Sequence, residues 1–375
     1  MRKVLNSVSL VSGTAIGSGL ISLPLSAAKV GMKWTCIIIV LSFLVAYKTS
    51  CLTIDLIKSQ DEPLSIVELS NSISGKIAKA ISMCSLYALS LALLCAYFAG
   101  TSSILGSFFN LDPTTATFVC VAVFSFLFIT KPKMFNNLNS VLVFILLILI
   151  TCAVCSMTTK TILCIDGVKC TYGTIMPFLP IIFTSFGVQN VCPFVAKTIG
   201  LDDIKSIKKV FFIGLLIPAI IYTVWIYATL ARIYVYDNDL YQNILNGDVD
   251  VGTLVNSLCN SSNFKFEEIV LKLLSLFAIL TSATGTGIGL ISSLKETKYC
   301  NRKCTIILCV IGLPTILTML VHNAFLRILS FGGMIATIFV IFIPVYLNSK
   351  ISNKWISGAL CAIFGILVVI AELFY

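Results

Sequence analysis

In this chain of 375 residues, 58% are hydrophobic and only 11% carry charge, which excludes a soluble domain, where about 25% would be charged. The net charge of +10 raises a nucleic-acid reading, but apolar runs of about 20 residues recur along the whole length and mark a polytopic helical membrane protein. A transmembrane barrel is excluded as well, because its strands need about ten residues of strict alternation each and the runs here do not alternate.

Eleven membrane-spanning helices are predicted, over residues 8–28, 34–56, 80–109, 114–130, 138–158, 175–199, 209–231, 268–294, 305–321, 325–347 and 355–374. No connection is long enough to fold separately, so residues 1–375 form one all-α membrane domain. Assigning the connections alternately to two sides places 17 Lys and Arg on one and 8 on the other, with Lys48 inside a span. By the positive-inside rule the N-terminus is cytoplasmic, and an odd number of spans puts the C-terminus outside. Topology thus accounts for the basic excess, and no nucleic-acid partner is implied. Residues 1–28 could pass for a cleaved leader, but the glycine-interrupted core makes a poor leader and spans continue beyond it.

The first span reads SGTAIGSGLISLP from Ser12 to Pro24, with three glycines and several hydroxyls where leucines would be expected. Residues 57–79 form a mixed polar cytoplasmic segment that suits one short surface helix. Cys152 and Cys155 make a CxxC in the fifth span, without the second pair or His cluster a zinc site needs. Cys164, Cys170 and Cys259 fall on the outer side, where an oxidising compartment would permit a disulfide. The sixth span, GTIMPFLPIIFTSFGVQNVCPFVAKTIG, is interrupted by prolines at 177, 180 and 193 and by Thr184-Ser185-Phe186-Gly187. Residues 232–267 form the largest outer loop, either a cap over an external vestibule or a solvated connector. In the eighth span, Thr281 and Thr284 are three apart and Ser282 and Thr286 four apart, so each pair shares a helix face. The only histidine, His322, falls in the connection between the ninth and tenth spans.

The two interrupted spans stand five apart. That spacing predicts a five-plus-five inverted repeat, residues 6–158 and 174–347, with an extra helix over 355–374 and discontinuous helices 1 and 6. In hydrocarbon every peptide N–H and C=O must be paired. A helix broken at mid-membrane offers free N–H groups at one half's start and free C=O groups at the other half's end, suited to a carboxylate and a cation respectively. The competing reading takes Gly13 and Gly17, and Gly285 and Gly289, as helix-packing pairs.

Three stretches carry a family resemblance. GTAIGSGLISLP (Gly13 to Pro24) resembles the first-helix signature of the hydroxy/aromatic amino acid permeases, the tyrosine- and tryptophan-specific transporters of bacteria. LPIIFTSFG (Leu179 to Gly187) is similar to their sixth helix and FAILTSATGTGIGL (Phe277 to Leu290) to their eighth. The resemblance implies the leucine-transporter-like fold of the amino acid–polyamine–organocation superfamily. It also implies a multi-pass protein of the bacterial inner membrane that imports an amino acid by symport with a cation. Two departures stand out. Val188, Gln189 and Asn190 follow the sixth-helix glycine where many relatives place an aromatic residue and a histidine. Ser292, Ser293 and Leu294 precede Lys295-Glu296 where relatives often carry an acidic residue sooner.

The expected substrate site joins both breaks. Ser12, Gly13, Thr14, Ala15, Gly17 and Gly19 would hold the amino acid's backbone. Thr184, Ser185, Phe186 and Gly187 would close the other side, with Ile16, Phe186 and Tyr87 meeting its side chain. Thr281, Ser282 and Thr284 are the candidate cation ligands, with the alternative that they bond their own helix. Titratable groups inside the spans are scarce (Lys48 and Asp55 near the cytoplasmic end of the second), so H+ and Na+ stay open as coupling ions. No metal or cofactor is predicted, and no phosphate-binding loop or cluster of catalytic side chains points to a pump or an enzyme.

Overall fold

A computed structural model describes residues 2–129, 132–158, 172–247, 249–261, 265–296, 308–320, 325–351 and 355–374. Cys164, Cys170 and His322 lie outside the described residues, and the side chains of Thr284, Gly285 and Gly289 are outside them as well. The described chain is helical, with no strand. Five helices are long and apolar enough to cross a membrane, a sixth if one bent pair counts as a single span, and four shorter apolar helices accompany them.

Helix α1 runs Arg2–Ala27. Its two limbs, Lys3–Gly17 and Gly19–Ala27, meet at 45°. The sequence predicted an unwound break here, and the structure gives a bend within one helix. The hydroxyls of the first limb turn onto their own helix: Ser12 Oγ donates to Val8 O at 3.0 Å and Thr14 Oγ1 to Leu10 O at 2.7 Å. Such back-bonds loosen and bend a helix slightly, and the bend itself falls between Gly17 and Gly19, where the missing side chains let the backbone flex.

Helix α2 (Met32–Ser59) leads to α3 (Ile66–Ser74), the short helix expected in the cytoplasmic segment. Ser65 and Glu68 close a capping box at its start, the reciprocal pairing that satisfies two orphan N–H groups. Then come α4 (Lys76–Phe109), α5 (Pro113–Ile129), α6 (Pro132–Thr158) and the single turn α7 (Tyr172–Ile175).

The sixth predicted span does break. Helix α8 (Phe178–Ser185) ends three residues before Val188, a 3-10 turn covers Gln189–Val191, and α9 (Cys192–Ile199) resumes with Pro193 in its first turn. The bonds spanning the gap are tight three-residue closures, Phe186 N–H to Phe183 O at 3.0 Å and Gly187 N–H to Thr184 O at 3.2 Å.

Helix α10 (Ile204–Tyr236) is followed by two short helices, α11 (Asn238–Asn246) and α12 (Val251–Asn260). The long connection is therefore folded. Two of its four aspartates are N-caps, Asp237 accepting from Leu240 N–H at 3.1 Å and Asp250 from Thr253 N–H at 3.0 Å. Asp250 also accepts the Ser103 hydroxyl of α4. Burial pushes its carboxyl up, but the bonds from Ser103, Thr253 and Gly252 outweigh that and hold it below the ordinary Asp range. Leu254, Val255 and Leu258 of α12 face the interior, and the buried Cys259 thiol donates to Glu268 O at 3.9 Å.

The chain ends in α13 (Lys265–Glu296), α14 (Leu313–Leu320), α15 (Phe325–Thr337), α16 (Ile343–Ile351) and α17 (Trp355–Phe374). Wide helical turns precede α14 and α16. Trp34, Ile37, Leu41 and Leu44 on α2 and Leu360, Ile363 and Leu367 on α17 are exposed. Such continuous apolar faces are a liability in water and are ordinary surface against lipid.

Two ion pairs join helices among the described residues. Asp55 of α2 takes Lys208 of α10 at 2.6 Å. Toward the other end of α10, Arg232, 1% exposed, pairs with Glu267 at 3.4 Å, bonds Ser261 and sits 4.5 Å over the Tyr236 ring. Glu267 also accepts from Ser156 of α6 at 3.1 Å. Removing one partner of such a pair strands the other charge. Glu267→Ala should therefore lose about 3–5 kcal/mol, and Arg232→Met combined with Glu267→Leu much less. Thermal unfolding in detergent measures both, and equal losses would refute the pairing.

Candidate functional site

Helix α1 is the hub, packing against α6, α8, α10 and α13. Its bend and the gap after α8 meet at Tyr222, from the middle of α10. The Tyr222 hydroxyl donates to Ala15 O at 2.5 Å, and its ring stands edge-on to Phe186 with centroids 5.6 Å apart. A Cβ built on Gly19 would lie 2.6 Å from Tyr222 Oη and 2.7 Å from Ser185 Oγ. Ala15, Gly19, Ser185, Phe186 and Tyr222 thus converge on one spot. Ile16 and Phe186 have no exposed surface, so this spot is closed in the described conformation.

The structure treats the remaining predicted residues differently. Gly17 abuts the eighth-span Ser282 so closely that any Cβ would coincide with the Ser282 side chain. Ser282 Oγ is buried and has no hydrogen-bond partner in the protein. Thr281 donates to Phe277 O at 2.8 Å and Ala278 O at 3.1 Å, so its proton is directed to its own helix. Thr284 lies on α13 with its side chain outside the described residues.

Gly13 makes a close approach to Val143 of α6, a packing role. Ser12 and Thr14 direct their hydroxyls to their own helix, as above. Thr184 Oγ1 bonds Pro180 O at 2.7 Å and Leu329 O of α15 at 3.2 Å, and Ser185 Oγ bonds Ile181 O at 3.1 Å. Gly187 lies in the gap. Tyr87 packs against a separate apolar cluster, Leu94, Leu290 and Val310, and is not gathered with the others.

Sequence reasoning missed Tyr222. The available signal was a tyrosine inside an apolar run, since a buried phenol seeks a partner for its hydroxyl. Gln189 was not among the expected site residues. Its Nε2 donates to Thr49 Oγ1 of α2 at 2.8 Å, and its Oε1 is buried with no protein partner. Among the described residues, no three His, Cys, Asp or Glu side chains gather as a metal site would require.

Apolar helices around one bent and one broken helix, with backbone and hydroxyl groups where the two meet, define a polytopic membrane transporter. Residues 1–370 match the tryptophan/tyrosine permease family, and the chain belongs to that family. It is a permease and not an enzyme. A relative named glutamine transporter 2, from Aliivibrio fischeri, is 22% identical over 94% of this chain and 90% of its own length. The tyrosine-specific transport system 1 of Haemophilus influenzae is 23% identical over 93% and 88%. The low affinity tryptophan permease of Escherichia coli is 23% identical over 97% and 93%.

Two substitutions test this geometry. Gly17→Ala should cut uptake at least tenfold by forcing α1 off α13, an overpacking penalty of about 1–3 kcal/mol. Adding Ser282→Gly should restore the packing, read as thermal stability in detergent because Ser282 is also a candidate cation ligand, and a double variant no more stable than the single one would refute the contact. Tyr222→Phe removes a bond worth about 1 kcal/mol, so initial uptake should fall roughly fivefold with membrane insertion unchanged.

Proposed function

We propose that this permease is a secondary active transporter that imports an aromatic amino acid, tyrosine or tryptophan, by symport with a cation. The observation that carries the reading is the meeting of the α1 bend, the gap after α8 and the Tyr222 hydroxyl at a single closed point. Relatives named for tyrosine and for tryptophan over nearly the full length add support. The reading includes eleven spans, a five-plus-five inverted repeat, a cytoplasmic N-terminus, an external C-terminus and residence in a bacterial inner membrane.

In this mechanism the substrate's charged ends take the peptide groups that helical pairing leaves over. Those are the carbonyls at the end of α8 around Phe186 and Gly187, and the polar atoms of Ala15, Gly17 and Gly19 beside the bend. Phe186 swings off Tyr222 to admit the aromatic ring, with Ile16 as the opposite wall. Ser282 Oγ, Thr281 and Thr284 hold the coupling cation against the backbone at Gly17. That cation is Na+ or H+. Either gains about 2.3 kcal/mol per 100 mV of membrane potential, enough to concentrate a neutral cargo.

A second reading, another neutral amino acid as cargo, is favoured by two observations. A relative of equal similarity is named a glutamine transporter, and Gln189 places an unpartnered amide oxygen just beyond the gap. Uptake of labelled tyrosine, tryptophan and glutamine into proteoliposomes, with Na+ and H+ gradients imposed separately, decides between them. Saturable, concentrative uptake of an aromatic amino acid with counterflow is expected. Unsaturable flux would replace the transporter with a channel, and absence of flux would leave a sensor of the same fold. Thr281→Ala with Ser282→Ala should shift the ion dependence, and an unchanged dependence would return these hydroxyls to packing.

A further inference from the structure

One face of α10 carries polar tips beyond the one that the transport site uses. Tyr222, Trp225, Thr229 and Arg232 follow at spacings of three, four and three residues, which keeps them on one side of the helix. The first and last are engaged, Tyr222 with Ala15 and Arg232 with Ser261 and Glu267. The two between them are not. Trp225 Nε1 and Thr229 Oγ1 are buried and have no hydrogen-bond partner in the protein. Trp225 is 4% exposed and Thr229 0%.

Both side chains line a cavity of about 10 Å³, closed by Leu20 of α1, Leu254 and Leu258 of α12, and Ser275 of α13. An indole N–H can only donate, whereas a threonine hydroxyl donates or accepts. Ser275 gives its own proton to Leu271 O at 2.9 Å, which leaves its lone pairs to accept. A guest that accepts from Trp225, donates to Ser275 and shares one bond with Thr229 satisfies all three.

Three properties identify that guest. The volume suits about one water and is far too small for an amino acid, and a buried water makes two to four hydrogen bonds. The indole N–H turns its positive end toward whatever it bonds, which refuses a cation. Arg232, further along the same face, is already paired with Glu267, so the wall offers an anion no counter-charge. We propose that this cavity is a binding site for a single water molecule, held by Trp225, Thr229 and Ser275 behind the outer limb of α1. Leu20 follows directly on the bend, so the water gives that limb a backing that can reorganise where a side chain would resist.

The test reads the indole directly. Trp34→Phe with Trp355→Phe leaves Trp225 as the only one of three tryptophans. Ultraviolet resonance Raman spectra of this variant in lipid report whether its N–H is hydrogen-bonded. The expected spectrum is that of a bonded N–H, insensitive to Na+ and to amino acid, moving to the unbonded position when Ser275→Val fills the cavity. An unbonded N–H in the parent overturns the proposal without any cavity-filling variant. A bonded signal that survives Ser275→Val assigns the acceptor to the protein, and one that follows Na+ or amino acid assigns it to an ion or the cargo. Either also overturns it. A high-resolution density map of the unaltered chain with no peak within hydrogen-bond reach of Trp225 Nε1 would do the same.

Discussion

Peptide groups inside a hydrocarbon layer have no water to bond, and every irregularity in this chain is arranged around that constraint. Helix α1 contains enough glycine and hydroxyl to unwind, yet it runs helical through a 45° bend, and Ser12 and Thr14 return their protons to carbonyls one turn back. The chain after Ser185 gives up its helical ladder only where α1, α2 and α10 surround it. Gln189 there reaches Thr49 of α2, and Phe186 lies on Tyr222 of α10. Tyr222 then closes the arrangement by donating to a carbonyl of the bend itself.

Close approach does the rest. Gly17 brings the backbone of α1 onto Ser282, Gly19 brings it onto Ser185 and Tyr222, and Gly333 of α15 lies against Pro180 of α8. In lipid, where apolar burial gives helices little reason to associate, small residues that permit backbone contact are a main source of cohesion. The alternatives first weighed for the α1 glycines, packing pair or ligand site, are therefore not exclusive. Gly13 packs on Val143, whereas Gly17 and Gly19 pack on the very side chains that would line a site.

Much of the helical architecture was legible in the sequence because it follows from hydropathy and from the positions of proline and glycine. The break after Ser185 was written in Pro177, Pro193 and Gly187, and the small cytoplasmic helix in Ser65 and Glu68. The site was legible only in part. Composition cannot distinguish a hydroxyl that faces a ligand from one that bonds its own turn, so Ser12 and Thr14 were expected at the substrate and lie on their own carbonyls. Tyr87 was placed there by span number alone, and its neighbours prove to be Leu94 and Leu290. Tyr222 went unseen because its role depends on α10 crossing α1 at Ala15, a contact 207 residues apart in the chain.

The Thr184 hydroxyl adds a mechanical consequence. By reaching Leu329 O as well as Pro180 O, it rivets the half-helix α8 to α15. Ser330, the next residue of α15, is in turn held by Glu372 near the end of α17. The half-helix α8, α15 and the last helix of the chain are thus joined in series by two side-chain hydrogen bonds. The C-terminal helix is thereby tied to the broken helix and is not an inert appendage.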